Sequence, residues 1–325
     1  MTIQSDLGLA PNTVEAYGRA LEDYLVFTAQ RMIVLETAGR EHIAAYVRDL
    51  GSRPHPHRKN VVVIDSGLGL ANATLQQRLT AVRLFYDYLM EEGVRQANPV
   101  GRGRYTPGRG FGGTRGLLPR YRKLPWIPND EQWRAMVNAA RSQSLRNRVM
   151  FAMAYDAGLR REELCLLETG DIDPAHRTLS IRAETTKNRQ GRIVPYSGAA
   201  STLYAQYLSH RRELSRDRGR IFISESRRNR GQPISIWTWS KVVAEVARGA
   251  KVPQFTTHTF RHLCLTDLAR AGWDIRQIAT FAGHRSLQTT LLYIHLGGHE
   301  LADKVEKGMA EIHAWRVNML AEVLH

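Results

Sequence analysis

Residues 257–293 read THTFRHLCLTDLARAGWDIRQIATFAGHRSLQTTLLY, and this stretch decides the fold of the second half of the chain. Its apolar residues recur at helical spacing, and Gly272 and Gly283 stand where helices commonly end. His258 and Arg261 are three residues apart, which puts both on one face of a helix. The stretch therefore predicts consecutive short helices that bring polar, chemically active side chains to one side.

A small sheet is predicted upstream of these helices. Residues 148–157 are apolar nearly all round and predict a buried helix that ends at Gly158. After it, residues 179–181 alternate apolar and polar side chains, and residues 192–196 form a second strand segment. The polar residues between them predict a hairpin loop, and Ile221–Ile223 is a candidate third strand of the same sheet.

The first hundred residues predict helices alone. Asn12 and Glu15 form a plausible helix cap, and a second helix is predicted from Thr74 to Gly93. With the second half, this favours a mainly α protein that contains a small antiparallel sheet. A chain of 325 residues fits two domains, for which we expect the bounds 1–100 and 128–325.

The intervening residues, 101–127, predict a linker that is rich in Gly, Pro and Arg and has no acidic side chain. Such a linker either is simply solvated or lies along a phosphate backbone. On the second interpretation the candidate DNA-binding residues are Arg102, Arg104, Arg120, Arg122 and Lys123.

The composition favours a polyanionic partner. The net charge is +15, and only 7 of the 46 basic residues are Lys. The planar guanidinium of Arg suits phosphate oxygens, although a GC-rich genome would also enrich Arg. The two cysteines, Cys165 and Cys264, are too few for a four-ligand zinc site, and we expect buried thiols in a reducing compartment. Without a long apolar run or a signal peptide, the sequence predicts a cytoplasmic, nucleoid-associated protein.

Cleavage of a phosphodiester without a metal needs cations, a nucleophile and an acid. The second half of the chain holds side chains that could supply all three. Taken singly, each has a simpler explanation. Arg160 could be a solvated side chain after a helix end, and Tyr293 could be a core aromatic residue. His258 and His262, four apart, allow a metal-site interpretation, but the intervening Arg261 would repel a cation.

In chain order, however, these residues resemble the tyrosine recombinase (phage integrase) family. The matching motifs are Gly158-Leu159-Arg160-x-x-Glu163-Leu164, Lys187 before Arg192-Ile193-Val194-Pro195, His258-x-x-Arg261, Gly283-His284, and Tyr293 after Thr289-Thr290. The helix ending at Gly93 and the following Asn98-Pro99-Val100 are similar to the end of the family's helical, SAM-like core-binding domain. The resemblance covers nearly the whole chain.

The resemblance implies a role for each motif residue. Arg160, Arg261 and His284 would contact the scissile phosphate, and Lys187 would protonate the leaving 5′ oxygen. His258 would assist proton transfer or hold the phosphate, and Glu163 would support the arginine pocket. Tyr293 would attack and form a 3′-phosphotyrosine, so that neither a metal nor any other cofactor, ATP included, is needed. Arg161 and Glu162 depart from the small or apolar residues that the family more usually has after the first Arg.

The resulting expectation is a site-specific recombinase, either an integrase or a transposon-borne enzyme, that acts on double-stranded DNA. A topoisomerase would use the same chemistry, but a separate core-binding domain argues against it. A non-catalytic DNA-binding protein is the other alternative, and the complete set of motif residues argues against that.

The last expectation concerns the carboxyl terminus. Residues 300–320 carry an apolar stripe at helical spacing, formed by Leu301, Val305, Ile312 and Trp315. The stripe could cover the protein's own core. The resemblance implies instead a helix that docks on a neighbouring protomer and links four subunits around two DNA sites.

Overall fold

The computed structural model describes residues 11–53, 70, 72–100, 124–186 and 189–296. The chain divides into two compact units, Met1–Lys123 and Leu124–His325, which are described separately below. In the described part of the chain no helix is both long enough and apolar enough to cross a membrane.

The first unit is helical. Its helices are α1 (Pro11–Gln30), α2 (Arg40–Ser52) and α3 (Asn72–Glu91). The first and third confirm the two predicted helices, but Asn12 and Thr74 lie within their first turns and not at the predicted caps. Their common core is built from tyrosines that are fully buried: Tyr24, Tyr46 and Tyr86. The hydroxyl groups of Tyr24 and Tyr86 lie 2.7 Å apart, so each buried phenol has a polar partner.

Asp23 joins the three helices of this unit. Its carboxylate accepts a hydrogen bond of 2.7 Å from the Tyr46 hydroxyl and one of 2.5 Å from Arg53, which follows α2. Arg78 of α3 donates to the same carboxylate. Burial opposes ionisation, but these donors outweigh it and lower the pKa of Asp23.

The second unit consists of eight helices within the described residues, together with a small sheet. The helices are α4 (Asp130–Ala140), α5 (Leu145–Asp156), α6 (Arg161–Cys165), α7 (Gly198–Leu214), α8 (Ile236–Gly249), α9 (Thr257–Arg270), α10 (Ile275–Ala282) and α11 (Leu287–Leu296). The buried helix predicted before Gly158 is α5, and the helices predicted between residues 257 and 293 are α9 to α11.

An aromatic cluster fills the centre of this unit and orients α9. Phe260 is fully buried, with ring centroids 4.7 Å from Phe151 of α5 and 4.8 Å from Phe255. Both pairs are edge-to-face, the arrangement that aromatic quadrupoles favour. Because Phe260 faces the core, its neighbours on α9 are fixed in rotation about the helix axis. Cys165 and Cys264 are buried thiols, as predicted, and burial raises the pKa of each to about 12.

The sheet is antiparallel, with the order β1 (Ile172–Asp173), β2 (Thr178–Ile181) and β3 (Arg192–Pro195). The prediction that Ile221–Ile223 supplies a third strand is wrong. These residues are buried, but their backbone groups form hydrogen bonds with loop residues and not with a strand. For example, the Ile221 N–H donates to the Leu167 carbonyl at 2.9 Å. The third strand is β1 instead.

Several predicted features lie outside the described residues. These are the linker cations Arg102, Arg104, Arg120, Arg122 and Lys123, the hairpin residue Lys187, and the helix at residues 300–320.

Candidate active site

Arg160 enters the site from the short turn between α5 and α6. Gly158, two residues after the end of α5, has a φ of +54°, which stops the helix from continuing and directs the chain away. Two residues later Arg160 precedes α6, and its backbone N–H and its guanidinium both donate to the Glu163 carboxylate, at 2.9 and 2.8 Å. This carboxylate thereby fixes the position of the Arg160 head group.

Arg192 of β3 holds the same carboxylate from the other side. Its guanidinium makes a two-pronged contact with Glu163, at 3.0 and 2.8 Å, and its Nε donates to the Phe281 carbonyl at 2.9 Å. Burial opposes the ionisation of Glu163, which is 1% exposed, but the hydrogen bonds and charges of Arg192 and Arg160 hold its pKa at about 2. The sheet is thus tied to the turn that carries Arg160.

Arg261 of α9 is buried between the ends of two other helices. Its guanidinium donates to the carbonyl of Gly158, after α5, at 2.7 Å, and to the carbonyl of Ala282, the last residue of α10, at 2.5 Å. Carbonyls at a helix end carry partial negative charge and lack intrahelical donors, so a cation satisfies them well. Burial and repulsion from Arg160 lower the pKa of Arg261 to about 10, which still leaves it charged at neutral pH.

This arginine cluster carries excess positive charge. Among the residues that the structure describes, the guanidinium groups of Arg160, Arg192 and Arg261 are opposed by the single carboxylate of Glu163, which leaves two positive charges in a largely buried site. Such a site favours an anion, and most strongly a phosphorus centre that gains negative charge as a fifth oxygen adds to it.

His284 follows the glycine that ends α10 and uses both ring nitrogens on protein partners. Its Nε2 lies 3.0 Å from Arg261, and its Nδ1 lies 2.9 Å from the hydroxyl of the buried Thr290. Because a guanidinium only donates, Nε2 must accept, and the ring proton belongs on Nδ1. Burial, reinforced by the charges of Arg261 and Arg160, lowers the pKa of His284 to about 3. The ring is therefore neutral at pH 7.

Tyr293 projects from α11 into the same pocket and is 3% exposed. Its ring stacks on His284 with an interplanar angle of 11°, and its hydroxyl lies 3.1 Å from Nδ1 of His262. Burial raises the pKa of Tyr293, while the positive charges of Arg261 and Arg160 oppose the rise. The phenol is therefore protonated near neutral pH but faces the two cations that would stabilise its anion.

His258 is exposed and lies beside this pocket. Partial desolvation of its ring by the surrounding side chains lowers the pKa of His258; Glu162 opposes this shift, and the charges of Arg161 and Arg261 add to it. Arg161 pairs with Glu162 at 2.7 Å and stacks over the exposed ring of Trp237 at 5.4 Å. The two residues that depart from the family pattern thus neighbour His258 without entering the arginine cluster.

The structure brings Arg160, Arg261, His284 and Tyr293 together, with His258 alongside and Glu163 behind Arg160. Lys187 falls outside the described residues. Among the residues that the structure does describe, no His, Cys, Asp or Glu side chains are grouped as metal ligands, so the proposed pair of His258 and His262 has no third member there.

Sequence reasoning missed three contributors to this site. Arg192 was noted only as part of the motif after Lys187, His262 only as a possible metal ligand, and Thr290 only as part of a Thr pair. Of these, Arg192 had the clearest available signal, because a basic residue in a strand next to a predicted arginine pocket requires a carboxylate partner.

Comparison with known proteins identifies relatives over nearly the whole chain. Residues 126–299 match the phage integrase family, and residues 1–93 match the N-terminal SAM-like domain of phage integrases. The tyrosine recombinase XerD of Caulobacter vibrioides is 30% identical over 91% of this chain and 90% of its own. Transposase A from transposon Tn554 of Staphylococcus aureus is 26% identical over 92% of this chain and 87% of its own.

Solved structures share the fold at lower identity. The Tn1549 transposon integrase, in complex with a circular intermediate DNA, aligns with a TM-score of 0.68 at 14% identity, covering 90% of this chain and 92% of the other. The XerH site-specific recombinase, bound to a palindromic difH substrate, aligns with a TM-score of 0.68 at 17% identity, covering 90% and 79%. At these identities the likeness concerns the fold.

Proposed function

The chain belongs to the phage integrase family of tyrosine recombinases, and from this premise we propose that Tyr293 cuts and rejoins DNA through a 3′-phosphotyrosine intermediate. The observation that carries the proposal is the position of the Tyr293 hydroxyl, which shares one pocket with Arg261 and Arg160. A nucleophile beside a site with two uncompensated positive charges is the arrangement that attack on a phosphodiester needs. The family membership itself makes the chain an enzyme of site-specific DNA strand transfer.

Arg160 and Arg261 supply the charge that the pentacoordinate phosphorus requires. Each keeps at least one donor fixed on the protein, so the two head groups need little reorganisation when a phosphate arrives. We assign His284 to holding Arg261, because its Nε2 accepts from that guanidinium. Direct contact between His284 and phosphate, as the family pattern implies, would require Nε2 to release Arg261. His258 is positioned to hold the phosphate or to assist a proton transfer.

The leaving 5′ oxygen needs a proton, because an alkoxide is a poor leaving group near neutral pH. Lys187, which lies between β2 and β3 in the sequence, is the residue that we propose for this step. The phosphodiester bond energy is retained in the phosphotyrosine, so ATP is not needed, and the arginines take the place that metal ions occupy in other phosphoryl-transfer sites.

We propose that the partners are two duplex recombination sites held by four copies of the chain. The support is the family membership, together with the relatives bound to a difH substrate and to a circular intermediate DNA. Relatives include both a Xer recombinase and a transposase, so the reaction could serve chromosomes or mobile elements. The N-terminal SAM-like match favours a clamping recombinase over a topoisomerase.

A nicked duplex pool with random sequence across the scissile position tests the proposal. The nick lets the short product strand diffuse away, so a covalent adduct accumulates and can be isolated on a denaturing gel and sequenced. We expect an adduct with the wild-type chain and none with Tyr293→Phe, which should bind DNA with nearly unchanged affinity because phosphate contacts dominate binding. An adduct with the Phe variant, or none with the wild-type chain, would contradict the assignment.

A further inference from the structure

His262 of α9 has no role in the mechanism proposed above, yet it contacts the reacting atom. Its Nδ1 lies 3.1 Å from the Tyr293 hydroxyl oxygen, and the ring centroids are 5.7 Å apart with a tilt of 34°. We propose that His262 accepts the phenol proton of Tyr293 during attack on the phosphate and returns it during rejoining. This inference rests on the proposed function and adds to it the base for the nucleophile.

The direction of the hydrogen bond follows from the surroundings of the phenol. Arg261 can only donate, and its positive charge faces the Tyr293 oxygen, so the oxygen lone pairs are best turned towards it. The phenol O–H is then available to donate to Nδ1 of His262. This requires a neutral imidazole, and burial, with the charges of His258 and Arg261, lowers the pKa of His262 to about 4.

The other two histidines of the site are worse placed for this task. Both nitrogens of His284 are engaged, one by Arg261 and one by Thr290. The ring of His258 is centred 6.4 Å from that of His262, on the side of Arg161 and Glu162. Among the described residues, His262 is the imidazole that has a nitrogen hydrogen-bonded to the phenol.

The proton balance of the step closes without an added reagent. During cleavage the Tyr293 O–H bond breaks, an N–H bond forms at His262, the phenol oxygen bonds to phosphorus, and the 5′ oxygen leaves with a proton from the acid. Negative charge on the phosphate offsets the repulsion from Arg261 and favours the transient imidazolium. Rejoining reverses each step: the 5′ hydroxyl attacks, and the proton on His262 returns to the departing phenol.

Two substitutions separate proton transfer from simple positioning. His262→Asn places an amide oxygen near the position of Nδ1 and can keep the hydrogen bond, but it is not basic, whereas His262→Ala removes both. We expect both variants to form the covalent adduct about 100-fold more slowly, the usual contribution of a general base. His210→Asn removes a partly exposed histidine of α7 that pairs with Glu213 of the same helix and with Glu225 beyond it, and this variant should react at the wild-type rate.

A second substrate shows on which side of the phosphorus His262 acts. The duplex sequence recovered from the nicked pool is synthesised with sulfur in place of the bridging 5′ oxygen. The resulting thiolate is a leaving group that needs no acid. We expect this substrate to restore the rate of Lys187→Ala but not that of either His262 variant. In His262→Asn the rate should also rise about tenfold per pH unit as the phenolate fraction grows, while the wild-type rate levels off.

The outcomes distinguish this inference from the function on which it rests. Adduct formation by His262→Asn within about threefold of the wild-type rate would reduce His262 to a positioning residue, and rescue of the His262 variants by sulfur would place it on the leaving-group side; either result overturns the inference. If His262→Ala does not fold, the Asn variant and its pH profile still decide. Absence of any adduct with the wild-type chain would instead refute the proposed function.

Discussion

Replacing Glu163 by Gln should destabilise the second unit strongly, because among the described residues this carboxylate is the only one that pairs with the arginine cluster. Its pKa falls from the ordinary 4.5 to about 2, which corresponds to about 3 kcal/mol of preferential stabilisation of the charged form. Gln also leaves Arg160 and Arg192 buried against a neutral amide, and breaking a buried ion pair from one side typically costs about 3–5 kcal/mol. We therefore expect the free energy of unfolding to fall by about 3–5 kcal/mol.

Denaturant unfolding followed by tryptophan fluorescence measures this loss selectively, because all six tryptophans of the chain lie in the second unit. Glu168→Gln is the matched control: that carboxylate also forms ion pairs with two arginines, Arg182 and Arg220 at 2.9 Å each, but its side chain is 37% exposed. Solvent screening should limit the loss in the control to less than about 1 kcal/mol. Equal unfolding midpoints for the two variants would refute the reasoning.

The same carboxylate predicts a pH dependence. The folded-state pKa of Glu163 is depressed, so its stabilisation is fully present above the unfolded value of 4.5 and is lost as the pH falls through about 2. The stability difference between the wild-type chain and Glu163→Gln should therefore shrink progressively below pH 5. A difference that stays constant down to pH 2 would mean that the carboxylate's charge contributes nothing.

Four further outcomes are expected. Gly283 has a φ of +63°, and a methyl group added there would lie 3.1 Å from the Arg192 side chain, whereas Gly272 has a φ of +85° and open space around it. Gly283→Ala should therefore unfold at a lower denaturant midpoint than Gly272→Ala. Equal midpoints would show that the Arg192 side chain moves aside without cost. Thr290→Val should slow adduct formation because Nδ1 of His284 loses its acceptor, whereas Thr290→Ser should retain the rate; a fast Val variant would contradict the assigned tautomer. Adduct formation should persist in EDTA, and a loss that Mg²⁺ restores would indicate metal catalysis. Deleting residues 300–325 should spare binding to a single DNA site but abolish paired complexes, and normal recombination by the truncated chain would disprove the docking role.

Local chemistry explains why most helices were predictable. Asn129 and Gln132 cap α4 with hydrogen bonds of 2.8 and 3.1 Å, and they lie only three residues apart in the sequence. Gly283, whose left-handed conformation ends α10, is likewise a local signal. The strand assignments were harder for the same reason. β1 has two residues, too few to show alternation, while Ile221–Ile223 is an apolar run buried by loops, and periodicity cannot separate that from a strand.

The motif residues of the site were recognisable from their order, but their partners were not. Glu163 and Arg192 are 29 residues apart in the sequence, and Gly158 and Arg261 are 103 residues apart. Only the assembled fold brings these pairs into contact. The metal interpretation of His258 and His262 shows the limit most clearly. Spacing along α9 gave a plausible pair of ligands, whereas the packing of α11 against α9 gives His262 a phenol for a partner.

The position of Arg261 has a consequence for how inactive copies of such a gene behave. Its guanidinium donates to the carbonyl of Gly158, which follows α5, and to that of Ala282 at the end of α10, so a substitution there removes these links between helices together with the proposed phosphate contact. Inactive chains that arise by changes at Arg261 should therefore be misfolded and cleared rather than accumulate. A change at the Tyr293 hydroxyl leaves the helices joined, and such a chain would occupy DNA sites and assemble with active copies. If four copies assemble as proposed, loss of the nucleophile should inhibit mixed assemblies and loss of the arginine should not. Co-expression of either variant with the wild-type chain measures this difference.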